Sequence, residues 1–220
     1  MKQQLNIVTT LHKNTERDYL GRANDQKIGC MKTARKFGYD FWDGDRRFGY
    51  GGYSYDGRWA VVAQKLIDQY GLGPNSNILD VGCGKGFLLY EFRKLLPEAK
   101  ISGIDISEYA IENAKEEIRD NLMVASAQEP FPFEDGQFDL VISLTTLHNL
   151  LLPEFKMALS EIERVGKEKY ILLDSYRDEA ELFNLQCWTL TCELFFRPEE
   201  WVFLFNTFSY TGDYEFIFFE

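Results

Sequence analysis

The 220-residue sequence has little of what metal sites and disulfide frameworks require. It contains only two histidines, His12 and His148, and four cysteines without any C-x-x-C spacing. Zinc sites and disulfide scaffolds need clustered cysteines and histidines, so neither is expected here. Unpaired thiols favour a reducing compartment, which predicts a cytoplasmic protein with no metal site.

Long apolar runs and excess positive charge are also missing. The N-terminus lacks an apolar core of signal-peptide length, and no segment reaches the roughly 18 apolar residues that a spanning helix needs. The net charge is -11, with 35 acidic and 24 basic side chains. Such a charge repels a phosphate backbone and does not attract an anionic bilayer. The composition therefore predicts a soluble protein without a nucleic-acid or membrane partner.

Two regions differ in composition. Residues 1–36 form a polar N-terminal arm, with short helices expected from Asn14 to about Leu20 and just before Phe37. Residues 37–59, here called the aromatic segment, alternate aromatic rings with glycines and aspartates and are expected to form an ordered loop. Residues 60–220 then carry regular apolar patterns and are expected to form one compact unit, for which the chain length is sufficient.

Apolar runs of strand length alternate with helical patterns along residues 60–220. Helices are predicted at 60–70, 87–96, 108–119, 153–165, 180–192 and 198–208, and strands at 78–81, 101–105, 122–125, 138–144, 170–174 and 215–219. Short buried strands separated by helices indicate a mainly parallel, doubly wound sheet of the α/β class.

A glycine-rich turn lies at the first junction between strand and helix. Its pattern is Asp-x-Gly-x-Gly-x-Gly, formed by Asp80, Gly82, Gly84 and Gly86. The third glycine of a dinucleotide fingerprint is replaced by Phe87, and the Walker Gly-Lys-Ser/Thr sequence is absent. In a doubly wound sheet the ligand lies at the carboxyl ends of the strands, so this turn predicts a nucleotide-like ligand other than a dinucleotide.

At this turn the chain resembles the class I S-adenosylmethionine-dependent methyltransferases, particularly the small-molecule group with the strand consensus ILD-x-G-C-G-x-G. Three further segments match family motifs in order: Gly103–Ser107, in which Asp105 closes the second strand, residues 131–141, and Leu147-His148-Asn149-Leu150. The resemblance covers about residues 76–174. It implies a Rossmann-like methyltransferase fold, S-adenosylmethionine as methyl donor and S-adenosylhomocysteine as product.

The resemblance also implies which residues bind the cofactor. Gly82 and Gly84 would let the backbone approach the methionine and ribose, Asp105 would accept the ribose hydroxyls, and Asp80 would orient the turn or meet the ammonium group through water. The family's Gly-Asp-Ala after the third strand is replaced by Ala125-Ser126-Ala127-Gln128, so adenine contacts are expected from Ser126 or Gln128 and from the N–H of Ala127. Four further residues complete the predicted cofactor set: Cys83, Gly86, Ile106 and Ser143.

Two interpretations remain open for each candidate on the acceptor side. His148 is either a general base or a residue that shapes the pocket. The aromatic segment is either a lid over the substrate or a hydrophobic cluster that packs the arm on the domain. In the first case six aromatic residues are predicted to bind the substrate: Trp42, Tyr50, Tyr53, Tyr55, Trp59 and, on a later helix, Trp188.

The end of the chain departs from the family pattern. The closing antiparallel hairpin has room only for a stub at residues 209–211 and one strand, so the sheet edge is expected to be abbreviated or completed by a partner. The sequence as a whole predicts in-line methyl transfer to an oxygen or nitrogen of a soluble small molecule. The alternatives are a protein or peptide methyltransferase and a non-catalytic cofactor-binding partner subunit, and a homodimer is one possible assembly.

Overall fold

Six parallel strands form the central sheet of the computed structural model, which describes residues 3–13, 16–51 and 53–220. In chain order they are β1 (Asn77–Val81), β2 (Lys100–Asp105), β3 (Leu122–Val124), β4 (Phe138–Leu144), β5 (Gly166–Asp174) and β6 (Asp213–Ile217). Their order in the sheet is β3-β2-β1-β4-β5-β6. The order reverses between β1 and β4, which is where ligands bind in such sheets.

Helices cover both faces of the sheet. They are α1 (Thr9–Lys13), α2 (Tyr19–Asn24), α3 (Lys27–Ala34), α4 (Tyr39–Trp42), α5 (Ala60–Tyr70), α6 (Phe87–Leu95), α7 (Glu108–Glu112), α8 (Glu116–Arg119), α9 (Leu152–Val165), α10 (Glu179–Trp188) and α11 (Pro198–Thr207). Alternate strand residues point to opposite faces, so the sheet separates two buried apolar clusters. Ile78 and Ile142 belong to one cluster, and Leu79 and Val141 belong to the other.

The predicted order of elements between residues 60 and 220 is confirmed, but some helix boundaries differ from the prediction. The predicted helix 108–119 is interrupted at residues 113–115 and forms α7 and α8. The predicted helix 180–192 ends at Trp188, since Thr189 is extended and the chain then runs beside His148, whose carbonyl accepts the N–H groups of Glu193 and Leu194. In the arm, α1 and α2 flank the predicted helix 14–20, of which Asn14 and Thr15 lie outside the described residues.

The outer edge of β6 is covered by the arm of the same chain. The N–H of Leu5 donates to the carbonyl of Tyr214 at 2.8 Å, and the N–H of Tyr214 donates to the carbonyl of Gln3 at 3.0 Å. The carboxylate of Glu215, only 1% exposed, accepts the N–H groups of Ile7, Val8 and Thr9. These bonds satisfy the strand edge and a buried charge together.

Of the two alternatives left open for this edge, an abbreviated sheet fits the structure, in which the arm pairs with β6 at Tyr214 and residues 209–211 form no strand. The last strand also begins two residues earlier than predicted and pairs in parallel with β5. Among the described residues, no helix combines the length and apolar character that crossing a bilayer requires.

Candidate functional site

The carboxyl ends of β1, β4 and β5 open into a cavity of about 670 Å³, a size typical of small-molecule sites. The arm, the aromatic segment and the end of α10 form its other walls. Asp80 and Gly82 lie on one side of the cavity, and His148 and Asp174 line the part formed by β4 and β5. The topological switch point and the largest collection of candidate residues therefore coincide.

The glycine turn adopts a backbone that favours glycine. Gly82, Gly84 and Gly86 have φ values of +79°, +54° and +69°. A Cβ atom at Gly84 would lie 2.6 Å from the ring of Trp42. That ring is anchored by its Nε1–H, which donates to Ser107 Oγ at 2.8 Å. The space beside Gly84 is thus taken by an aromatic ring of the same chain.

Asp80 lies at the end of β1, is 5% exposed and lines the cavity. Its carboxylate forms no hydrogen bond or ion pair with any other described residue. Burial, together with the nearby charge of Asp105, raises the pKa of Asp80 to about 8. A buried acid without a partner suits a cationic ligand group, and the ammonium group of S-adenosylmethionine would supply one.

Asp105 ends β2 and holds the turn from the other side. One carboxylate oxygen accepts the N–H of Gly84 at 2.8 Å, and the other accepts the N–H of Ser107 at 2.8 Å. Burial raises the pKa of Asp105, and these two bonds oppose the increase. Each oxygen keeps a lone pair, so the carboxylate can still accept the two ribose hydroxyls as predicted.

The surface beside Asp105 is open. Ile106 is 52% exposed, and the predicted adenine-binding residues 126–128 follow β3, the neighbour of β2 in the sheet. The N–H of Gln128 donates to Ser126 Oγ at 3.1 Å, which shapes this loop, and Ala127 lies between these two residues. An exposed apolar side chain beside a polar loop suits an adenine ring, so the residues present fit S-adenosylmethionine.

Two residues predicted to bind the cofactor, Ser143 and Gly86, do not line the cavity. The hydroxyl of Ser143 is buried and donates to the carbonyl of Val81 at 2.8 Å, which ties β4 to β1. Gly86 allows close packing, because a Cβ atom there would lie 2.6 Å from Ile118. Cys83 does line the cavity, and burial raises the pKa of its thiol.

His148 directs both ring nitrogens at one residue, Asp174. The N–H of Asp174 donates to Nδ1 at 3.2 Å, and Nε2 lies 3.5 Å from the Asp174 carboxylate. Burial lowers the pKa of His148, so the ring is neutral near pH 7 with its proton on Nε2. The lone pair of Nδ1 therefore already accepts a hydrogen bond, which favours the interpretation of His148 as a residue that shapes the pocket over that of a general base.

Asp174 was not among the candidates from the sequence. It is the last residue of the buried strand β5, is 7% exposed and lines the cavity, and its carboxylate lies 3.5 Å from His148 Nε2. Burial raises the pKa of Asp174, while His148 and Arg17 lower it. The sequence does contain a signal for Asp174, since it is an acid at the end of an apolar strand of a parallel sheet.

Thr145 is a second residue that the sequence did not reveal. It follows β4, lines the cavity and has a φ of +52°, which is a strained conformation for a β-branched residue. Its N–H donates to the carbonyl of Leu172 at 2.9 Å, and Asn149 Nδ2 donates to its carbonyl at 3.2 Å. Such strain, held by neighbouring bonds, marks the end of β4 as part of a site.

Rings of the aromatic segment both line the cavity and pack the arm on the domain. Five of the six aromatic residues predicted to bind the substrate line the cavity: Trp42, Tyr50, Tyr53, Trp59 and, on α10, Trp188. Phe37 and Phe41 pack with Cys30, Ala34 and Leu190 in a hydrophobic cluster, and Trp42, Tyr50 and Tyr53 pack against the same cluster. The two interpretations of this segment are therefore compatible, because the same three rings belong to both arrangements.

Tyr55 differs from the prediction. Its hydroxyl donates to Glu91 at 2.7 Å, and its ring packs against Phe87 and Tyr90 outside the cavity. The alternation of rings and glycines does not reveal which rings face inward, because the segment has no regular period. The sequence could not have separated Tyr55 from Tyr53 for this reason.

Comparisons with known proteins bear on this site. A family model described as a methyltransferase domain matches residues 72–202. Mouse arginine-hydroxylase NDUFAF5 is 30% identical over 109 residues, which are 50% of this chain and 31% of that protein. Malonyl-(acyl-carrier protein) O-methyltransferase of Legionella pneumophila is 38% identical over 74 residues, 32% of this chain and 26% of that protein. The chain spans about a third or less of the length of these two curated relatives.

A solved structure shows the same fold. Geranyl diphosphate C-methyltransferase from Streptomyces coelicolor superposes with a TM-score of 0.54 at 16% identity, over 66% of this chain and 58% of that chain. The family model spans more than half of the present chain and includes the glycine turn, Asp105, His148 and Asp174. The protein therefore belongs to the class I S-adenosylmethionine-dependent methyltransferases.

Proposed function

We propose that the protein transfers a methyl group from S-adenosylmethionine to an oxygen or nitrogen of a soluble small molecule. The observation that carries this proposal is the cavity of about 670 Å³. Parts of the same chain line it, and it extends from the predicted donor site at Asp80 to the buried pair of His148 and Asp174. An acceptor held there lies between a donor-binding turn and a proton-accepting group.

The bound cofactor supplies an activated methyl group for in-line displacement. Asp80 and Asp105 would hold its ammonium and ribose groups, and the rings around the cavity would exclude water. Asp174 receives the proton that the acceptor loses, since its carboxylate faces the cavity. His148 is a positioning residue, because its Nε2 lies 3.5 Å from that carboxylate and its Nδ1 accepts the N–H of Asp174.

Contacts between the aromatic segment and the sheet favour a small acceptor. The carboxylate of Asp43 accepts a bond from Lys85 at 2.5 Å and from Tyr109 at 2.7 Å, which fastens the segment over the turn. Trp42 is fastened similarly through Ser107. A cover held at several points suits an enclosed molecule better than a folded protein surface.

A protein-linked substrate is the second candidate. It is favoured by the similarity to relatives named an arginine-hydroxylase and a malonyl-(acyl-carrier protein) O-methyltransferase. Both similarities cover half of this chain or less. A non-catalytic partner subunit, a cytoplasmic location and a homodimeric assembly remain predictions.

The test begins with calorimetry of S-adenosylmethionine and S-adenosylhomocysteine binding. Tritiated S-adenosylmethionine is then incubated with a cell extract divided by filtration into metabolites and proteins, with the Asp105→Ala variant as the control for cofactor-dependent labelling. Label in the metabolite fraction is the expected result. Label only in proteins would favour the second candidate, and good binding without labelling would favour the partner subunit. No cofactor binding would contradict all three.

A further inference from the structure

Three guanidinium groups surround the ring of Trp188 at one wall of the cavity. The Cζ atoms of Arg17, Arg22 and Arg46 lie 5.4, 4.6 and 5.9 Å from the ring centroid. Arg17 and Arg46 also line the cavity. A protein with a net charge of -11 has no general excess of cations. This convergence of positive charge is therefore a local feature that calls for an explanation.

Other cations of the cavity already have acidic partners. Lys85 pairs with Asp43 and Arg58 pairs with Asp56, each at 2.5 Å. Arg46, in contrast, forms no ion pair with any carboxylate among residues 3–13, 16–51 and 53–220. Its guanidinium is thus a cavity-lining cation whose charge is available to a ligand.

Arg22 adds charge to this wall while holding it in place. Its guanidinium donates to the carbonyls of Trp188 at 2.7 Å, Gly49 at 2.8 Å and Arg46 at 3.2 Å. These acceptors are neutral, so the positive charge is not cancelled by a described carboxylate. Burial lowers the pKa of Arg22, as expected for a cation that a nearby anion would stabilise.

No acid that lines the cavity forms an ion pair with Arg46 in the described part of the chain. Asp174 lies 3.5 Å from His148, Asp80 lies beside the glycine turn, and Glu16 is exposed in the arm. The charge of Asp174 opposes the lowering of the Arg17 pKa by burial. The wall at Trp188 is thus positive, while the floor at Asp174 is acidic.

We infer that the wall formed by Arg17, Arg22, Arg46 and Trp188 binds a carboxylate or phosphate group of the methyl acceptor. This inference rests on the proposed function and names the class of its substrate. A planar guanidinium suits both anions because it offers two parallel N–H donors. The rings of Trp188 and Tyr50 would pack the apolar body of the same molecule, and the methylated oxygen or nitrogen would face Asp174.

The experiment uses three probes of similar shape on protein saturated with S-adenosylhomocysteine: phenylacetate, phenyl phosphate and the neutral phenylacetamide. Calorimetry should show at least one anion binding about tenfold or more tightly than the amide. Arg46→Gln should remove most of that preference and leave the affinity for the amide unchanged. Arg119→Gln, an exposed arginine on α8 outside the cavity, is the matched control and should preserve the preference.

The relative affinity of the two anions distinguishes a carboxylate site from a phosphate site, and either result supports the inference. Equal affinity for all three probes, no binding of any probe, or an anion preference that survives Arg46→Gln would overturn it. Binding of S-adenosylhomocysteine is measured first in each variant. Failure of the unmodified protein to bind S-adenosylhomocysteine would contradict the proposed function itself. This result is distinguishable from failure of the anion-binding inference, in which S-adenosylhomocysteine still binds.

Discussion

The predicted donor half and the proposed acceptor half of the site are built in different ways. The donor half comes from the ends of three adjacent strands, with Asp80 near the end of β1, Asp105 at the end of β2 and residues 126–128 after β3. The acceptor half combines the arm, the aromatic segment, the ends of β4 and β5, and α10. The strand ends would thus bind the methyl donor, and the segments packed around the sheet would bind the acceptor.

Asp80 and Asp174 show the same difference on the scale of single residues. Both end parallel strands, both are buried, and burial raises the pKa of both carboxyl groups. Asp80 has no partner among the described residues, which suits a cationic ligand group. Asp174 has His148, which fixes its orientation and suits proton transfer. The partner, more than the burial, decides which role each acid can take.

The largest expected effect comes from Asp174. Asp174→Asn should lower the rate of methyl transfer about 100-fold or more, because a carboxamide cannot take the proton of the acceptor. The affinity for S-adenosylhomocysteine should remain unchanged, since Asp174 lies in the acceptor half. Single-turnover kinetics with tritiated cofactor and calorimetry measure the two quantities.

His148 provides the comparison within that experiment. His148→Gln should reduce the rate less, because the proton-accepting carboxylate of Asp174 stays in place at the cavity. Normal transfer by Asp174→Asn together with a large loss in His148→Gln would restore His148 as the base.

The next effect tests the donor half alone. Asp105→Ala should weaken S-adenosylhomocysteine binding about 10- to 100-fold, because charge-assisted bonds to the ribose hydroxyls are lost. Trp188→Leu, in the acceptor half, should change that affinity by less than about threefold. Calorimetry checks both variants, with Asp120→Ala as a surface control. Equal losses in Asp105→Ala and Trp188→Leu would show that the two halves are not separable.

A smaller effect separates two tyrosines of the aromatic segment. The hydroxyl of Tyr50 accepts the N–H groups of Leu190 at 2.7 Å and Thr191 at 3.2 Å. Tyr50→Phe leaves these donors unsatisfied, so it should lower the free energy of unfolding by about 1–3 kcal/mol and raise the KM for the acceptor. Tyr55→Phe should affect stability only. Denaturant unfolding and transfer kinetics measure both, and a changed acceptor KM in Tyr55→Phe would contradict its placement outside the cavity.

The smallest expected effect is the release of a proton from Asp80 when S-adenosylhomocysteine binds. The pKa of Asp80 is about 8, so the free protein carries its proton at pH 7, whereas pairing with the ammonium group of the cofactor requires the ionised form. Binding of S-adenosylhomocysteine at pH 7 should therefore release most of one proton, and less as the pH rises above about 8. Calorimetry in two buffers of different ionisation enthalpy measures this number. Asp80→Asn should abolish the release, and an unchanged release would assign the proton to another group.

The regular part of the fold followed from local patterns. The strands β1, β2 and β4 are buried apolar runs bounded by turns, and the amphipathic pattern of α5 matched its bounds from Ala60 to Tyr70. The covering of β6 did not follow, since it depends on Glu215 accepting bonds from residues more than 200 positions earlier. Local periodicity carries no information about such a distant pair.

The sequence by itself was enough to predict the donor site, because one glycine turn and one acid at the end of the next strand indicate it through local geometry. Only the tertiary structure decided the acceptor site. The sequence could not show that Nδ1 of His148 accepts the backbone N–H of Asp174. It also could not show that Tyr55 bonds to Glu91 outside the cavity, or that Arg46 lies beside the ring of Trp188. Each of these contacts joins segments far apart in the chain, and their meeting depends on how helices and loops pack around the finished sheet.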